Sequence, residues 1–120
     1  MFPDRPGPAE EVEPLKPVVF AILVALNDSN LHGYGIMKQV NDQLRRSALL
    51  GPGTLYRVLK ELRDGGLIDH AATPAGADAR RRYYRITPQG RRLARDEAAR
   101  MAAWVEVARE GRLLDAEAGG

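Results

Sequence analysis

Residues 49–68, LLGPGTLYRVLKELRDGGLI, constrain this chain more than any other stretch. Gly51, Pro52 and Gly53 precede a run in which Leu55, Val58, Leu59 and Leu62 recur at i, i+3, i+4 and i+7, and Gly65 and Gly66 follow it. That spacing lines one face of a helix, and the glycine pair supplies a left-handed stop. At about 100° per residue, Arg57 and Lys60 point nearly opposite the apolar stripe, with Thr54 and Tyr56 on its flanks near the start. The helix therefore packs on a core along one side and offers cations on the other. The GPG triplet lets the chain turn and leaves the first backbone N–H groups of the helix open to a phosphate, which helix N-termini favour.

The flanking sequence supplies the core. From Pro17, a first helical residue, Val19, Ile22, Leu23 and Leu26 share one face until NDSN ends the helix. HGYGIMKQVNDQLRRS then sets Ile36, Val40 and Leu44 four apart, with Tyr34 and Met37 beside them, a second helix reached through Gly33 and Gly35. His32 is expected to fix the start of that helix, since no acid or nucleophile is patterned around it for proton transfer. After the glycine stop, LIDHAAT (67–73) and RRYYRIT (81–87) read as two short strands joined by PAGADAR, a hairpin with a longer loop than a tight turn. Tyr83 and Tyr84 fall on opposite strand faces, one toward the core and one beside Arg81 and Arg85. Thr87 is the N-cap and Pro88 the first residue of a last helix running to about Gly111. Along it Ala94, Ala98, Met101, Val105 and Ala108 repeat at four and three, a heptad-like seam suited to self-association.

Composition excludes several classes. The 120 residues suit one small domain, and the absence of cysteine removes disulfides and thiolate metal sites. His32 and His70 stand far apart, so neither a metal site nor a cofactor is expected. GYG and GPGT lack the third glycine of a dinucleotide fingerprint and the Lys-Ser/Thr of a phosphate loop, and no enzyme activity is expected. The longest apolar run, VVFAILVAL, has nine residues where a membrane span needs about 20, so no membrane partner is expected and the cytoplasm is the expected location. Residues 1–14 hold four prolines and several acids, the pattern of a disordered tail. Residues 15–87 form the expected helical domain with its hairpin, 88–112 the last helix, and 113–120 a flexible end. Residues 45–95 carry twelve Lys/Arg against four Asp/Glu, within a net charge of only +2 for the whole chain. Positive charge gathered in the middle is the footprint of a polyanion-binding surface.

Three short helices followed by a basic hairpin describe a mainly α fold with a small β-hairpin, a winged helix-turn-helix plus a C-terminal dimerisation helix. In such folds the second helix of the pair enters the DNA major groove and the wing touches the backbone or the minor groove. The candidate DNA-binding residues are Tyr34, Gly53, Thr54, Tyr56, Arg57 and Lys60 from the helices, and Arg80, Arg81, Arg82 and Arg85 from the wing. Three ordered blocks, LHGYGIMKQV, GPGTLYRVLKELRDGGLI and RRRYYRITPQGRRL, carry a resemblance to the PadR-like transcriptional regulators over residues 15–104. The single helix after the wing resembles the short members of that family. Where the family often has proline after the tyrosine of GTLY, this chain has Arg57. The resemblance implies a homodimeric DNA-binding regulator, usually a repressor, acting on a palindromic double-stranded operator. It also implies a small aromatic effector held between subunits, for which Met101 and Trp104, at the seam, are the candidates. A second reading is a winged-helix module for protein contact without sequence-specific DNA binding. The outward cations favour the first, because protein-contact surfaces are depleted in charge at their centre.

Overall fold

The computed structural model describes residues 15–43 and 50–114; the segments 1–14 and 115–120, and Leu44 of the expected second helix, lie outside the described residues. In chain order the elements are α1 (Pro17–Asp28), β1 (Leu31–His32), α2 (Gly33–Gln43), α3 (Pro52–Asp64), β2 (Ile68–Ala71), β3 (Tyr83–Ile86) and α4 (Pro88–Glu110). The fold is mainly helical with a small antiparallel sheet beside the helices.

Helix α1 lies at the centre, packed on α2, α4 and β3. It buries Ile22, Leu23 and Leu26 as their spacing predicts, and also Ala21 and Ala25. Val19, expected in the buried set, is only half-buried. Helix α2 contributes Ile36 and Val40 to the same core, and Asn41 fixes the approach to α3 by bonding both backbone groups of Leu50. In α3 the four stripe residues, Leu55, Val58, Leu59 and Leu62, are all buried. Its end is a Schellman turn: Gly66 takes φ +79°, its N–H donates to the Arg63 carbonyl at 3.0 Å, and Leu67 N–H donates to Leu62 at 2.9 Å.

The hairpin is part of a three-stranded sheet of order β1-β3-β2. Leu31 and His32 pair with Tyr84 and Tyr83 on one edge of β3, and Ile68–Ala71 pairs with the other. A two-residue strand has no periodicity to read, so β1 is not foreseeable from the sequence. Both hairpin strands are shorter than the sequence suggests because the loop has its own structure. Ala77 N–H donates to Pro74, Gly76 takes φ +84°, and Asp78 accepts from the backbone N–H groups of Arg80 and Arg81, which draws residues 80–82 out of the ladder.

Helix α4 starts as predicted, with Pro88 in its first turn and the Thr87 hydroxyl accepting from Gly90 N–H at 3.0 Å. Thr87 also donates to the Gly66 carbonyl at 2.7 Å and its N–H to Leu67 at 3.1 Å, so the root of α4 is fastened to the exit of α3. Gly90 lies against that exit so closely that a Cβ there would overlap the Leu67 carbonyl oxygen.

Candidate nucleic-acid interface

The first turn of α3 is bare. Gly51 at the N-cap has no side chain to bond the helix, no acidic residue stands in the first turn, and a Cβ at Gly51 or Gly53 would meet nothing within 4 Å. Gly51 has φ −92°, and among the described glycines only Gly66 and Gly76 take positive φ. The glycines of GPG are therefore not required for the turn; they keep side chains away from backbone donors at an exposed helix start. Thr54 is exposed, as are Tyr56 in the same turn and Tyr34 at the start of α2, at 53% and 60%. Tyr56 crosses to α2, where its hydroxyl fills the space a Cβ on Gly33 would need.

The cations sort into two groups by what holds them. Arg57 pairs with Glu61 at 3.2 Å, Lys60 with Asp64 at 2.9 Å, Arg80 with Asp78 at 3.1 Å and Arg85 with Asp69 at 3.5 Å. Both α3 pairs join residues four apart, a spacing the sequence displays. Exposed pairs of this kind are worth at most about 1 kcal/mol, so they yield readily to a phosphate. The Lys60 ammonium holds Asp64, and the Arg80 guanidinium Asp78, below the usual carboxylate range. The remaining wing arginines are held by imidazoles. Arg81 Nη1 lies 2.7 Å from His32 Nε2, and Arg82 Nη1 lies 3.2 Å from His70 Nε2, which Arg63 Nη1 also approaches at 2.6 Å. Arg63 is not among the candidates drawn from the sequence, although it follows Tyr56 and Lys60 along one stripe of α3 at i+7 and i+3.

His32 does what its position suggests. Its Nδ1 accepts from Gly35 N–H at 3.1 Å, and its ring lies between Tyr34, stacked at 6.4 Å, and Tyr83, edge-on at 5.2 Å. Gly35 and Arg81 both donate, and a neutral ring accepts at one nitrogen only, so Arg81 is held loosely and is available to an outside acceptor. Burial, and then the Arg81 charge, lower the His32 pKa from its ordinary 6.5. The unfolded chain thus binds the proton more readily. The stabilisation is complete above about pH 6.5 and is lost as pH falls through the lowered value. Melts between about pH 7.5 and 5 are expected to show this loss, and His32→Asn, which still accepts from Gly35 but does not titrate, should flatten it. Equal pH slopes for the two proteins would refute the assignment.

The α4 seam divides between two environments. Ala94 is buried in the core of its own domain, Met101 and Ala108 are half-buried, and Ala98 and Val105 are exposed. A heptad pattern does not distinguish burial against one's own domain from burial against a copy, and Ala94 belongs to the former. Trp104 is 63% exposed, and Val105 and Val107 on the same half of α4 are exposed too. A cavity of about 520 Å³ opens between α1 and α4, lined by Phe20, Val24, Glu97, Arg100 and Met101 among others; Trp104 is not in its wall. Glu97 is buried there and bound by Arg100, whose guanidinium lowers its pKa. Among the described residues no group of three or more His, Cys, Asp or Glu is placed to hold a metal ion, and no helix is long and apolar enough to cross a membrane.

Three helices, the third with a bare first turn, a basic wing on a small sheet and a long terminal helix define a winged helix-turn-helix fold. Residues 22–96 match the transcriptional regulator PadR-like family, and the chain belongs to it. It is a DNA-binding regulator rather than an enzyme. No curated protein is similar enough in sequence to match. Among solved structures it is similar to a PadR family transcription regulator from Clostridium difficile R20291, at 26% identity and TM-score 0.66, over 79% of this chain and 97% of that one. It is similar to Bacillus subtilis PadR in complex with operator DNA, at 27% identity and TM-score 0.58, over 68% of this chain and 46% of that one. It is also similar to the PcaV transcriptional regulator of Streptomyces coelicolor in complex with its natural ligand, at 26% identity and TM-score 0.65, over 82% of this chain and 64% of that one.

Proposed function

We propose that the chain acts as a homodimeric, sequence-specific repressor, released from its operator by a small aromatic effector. The observation that carries this reading is the bare first turn of α3, with Gly53, Thr54, Tyr56, Arg57 and Lys60 exposed on an element whose other face is wholly core. Such a helix start presents backbone donors and side chains to base edges and phosphates together. Arg80, Arg81, Arg82 and Arg85 then meet the backbone from the wing. The similar Bacillus subtilis protein bound to operator DNA supports the DNA reading.

Dimerisation runs through α4, whose exposed Trp104, Val105 and Val107 are what a second copy covers. The effector enters between the subunits beside Met101 and Trp104, where the indole rings of two paired α4 helices flank a shared space. The ligand complex of the similar Streptomyces coelicolor regulator supports a small-molecule partner. An effector releases DNA only by binding better to a dimer geometry in which the two α3 helices are misplaced.

Selection of bound fragments from random DNA by the purified protein tests the reading. The expected product is an inverted repeat with half-sites centred about 10 base pairs apart. A single asymmetric half-site would remove the dimer, and the absence of any sequence preference would favour the protein-contact module instead. Planar aromatic compounds are then expected to quench the emission of Trp104, the only tryptophan, saturably while releasing that DNA. Trp104→Ala should stay dimeric and lose the response; a monomeric Trp104→Ala would make the residue structural.

A further inference from the structure

At the junction of α3 and the wing, two guanidinium groups from different elements converge on one atom. Arg63 occupies the last turn of α3, and Arg82 immediately precedes β3; both place Nη1 within hydrogen-bond distance of His70 Nε2. An imidazole nitrogen that accepts offers a single lone pair, and an arginine has donors only, so two cations share an acceptor sufficient for one. Neither has a carboxylate within ion-pair distance among the described residues, whereas Arg57, Lys60, Arg80 and Arg85 each have one. Their remaining N–H donors have no partner among the described residues either. The His70 ring is itself fixed, tilted against the buried Tyr84 ring at 5.1 Å, and its Nδ1 is buried without a partner. Like charges are thus held together on a rigid support with nothing of opposite sign between them.

An oxyanion with several acceptor oxygens resolves this arrangement, because each guanidinium fork bonds two oxygens and the mutual repulsion is neutralised. The site also faces outward: Arg63 is exposed and follows Tyr56 and Lys60 along the same flank of α3, and Arg82 is exposed at the base of the wing. We propose that Arg63, Arg82 and His70 form a site for a single phosphate group, filled in the complex by one backbone phosphate of the DNA. His70 is a positioning residue, holding both arginines until the phosphate takes them over. This rests on the chain being a DNA-binding regulator and adds to it a contact that ties the end of the reading helix to the wing.

The test compares the salt dependence of DNA binding by the full chain and by Arg63→Ala, Arg82→Ala and the double variant. Arg109→Ala, which removes the same charge from the far end of α4, is the control. Each single variant is expected to weaken binding about 3- to 10-fold on every sequence alike and to flatten the logarithmic salt slope by about 0.9. The double variant should bind little more weakly than either single, because both arginines serve one phosphate. Slopes equal to that of Arg109→Ala, or effects in the double variant that simply add, would overturn the shared site. A second measurement needs no DNA: melting of the protein in sodium phosphate and in sodium chloride of equal ionic strength. A stabilisation specific to phosphate and absent from Arg63→Ala supports the anion site even if the wild type binds no DNA, in which case only the regulatory reading falls. Phosphate-specific stabilisation combined with unchanged DNA slopes would overturn the DNA backbone as the occupant in favour of free phosphate.

Discussion

Replacing Gly90 by alanine is expected to destabilise the fold by about 3 kcal/mol, the upper part of the range for forcing atoms into a packed site. The Cβ would overlap the Leu67 carbonyl oxygen and press on Ile86 Cγ1 at 3.1 Å. The oxygen belongs to backbone, and it is held there by Thr87 N–H, so no side-chain rotation relieves the overlap. Helix propensity works the other way, since alanine is better than glycine in a helix by only about 1 kcal/mol, and the steric term wins. At fixed protein concentration the melting temperature should fall by more than about 10 °C. Gly53→Ala is the matched control: its Cβ meets nothing, so it should melt at or slightly above the wild-type temperature. Equal melting of Gly90→Ala and wild type would show that α4 leaves the α3 exit without cost.

The largest functional loss is expected from removing Arg80, Arg81 and Arg82 together. All sequences should be bound more weakly by the same factor, and the logarithmic salt slope should flatten by about 0.9 for each phosphate that the wing no longer neutralises. The three are not equivalent. Arg80 is tied to Asp78 through a side-chain pair and a backbone bond, whereas the Arg81 and Arg82 side chains lean only on imidazoles. Arg80→Ala alone should therefore cost less than either of the other two. Titrations at several salt concentrations on a specific and a random duplex separate these effects, and an unchanged slope in the triple variant would take the wing out of the interface.

What the sequence disclosed and what it withheld follow from range. The stripe of α3, the Thr87 cap and the Gly66 stop are legible because each depends on neighbours within one or two turns. The Arg57–Glu61 and Lys60–Asp64 pairs are legible on the same ground, as spacings of four. Strand β1 is hidden because Leu31 and His32 become a strand only when β3, some fifty residues on, is brought beside them. The same distance conceals the imidazole contacts, since Arg81 reaches His32 and Arg82 reaches His70 through the sheet register. Gly90 carries no local sign of its importance: the atom that forbids a side chain there is a carbonyl twenty-three positions earlier. Arg63 lies in plain view on the Tyr56 stripe, but nothing local reveals that it lacks a carboxylate partner in the folded chain.

Because β3 is hydrogen-bonded along both edges, the base of the wing is built into the same sheet that carries the turn between α1 and α2. The pairing ends at Ala71 and Tyr83, and between them residues 72–80 answer only to their own turns around Gly76 and Asp78. Residues can be inserted or deleted there without disturbing a strand register or a buried side chain. The reach of the wing along a duplex is thus adjustable independently of the fold, and a lineage carrying this architecture can adapt to operators of different geometry by loop length alone.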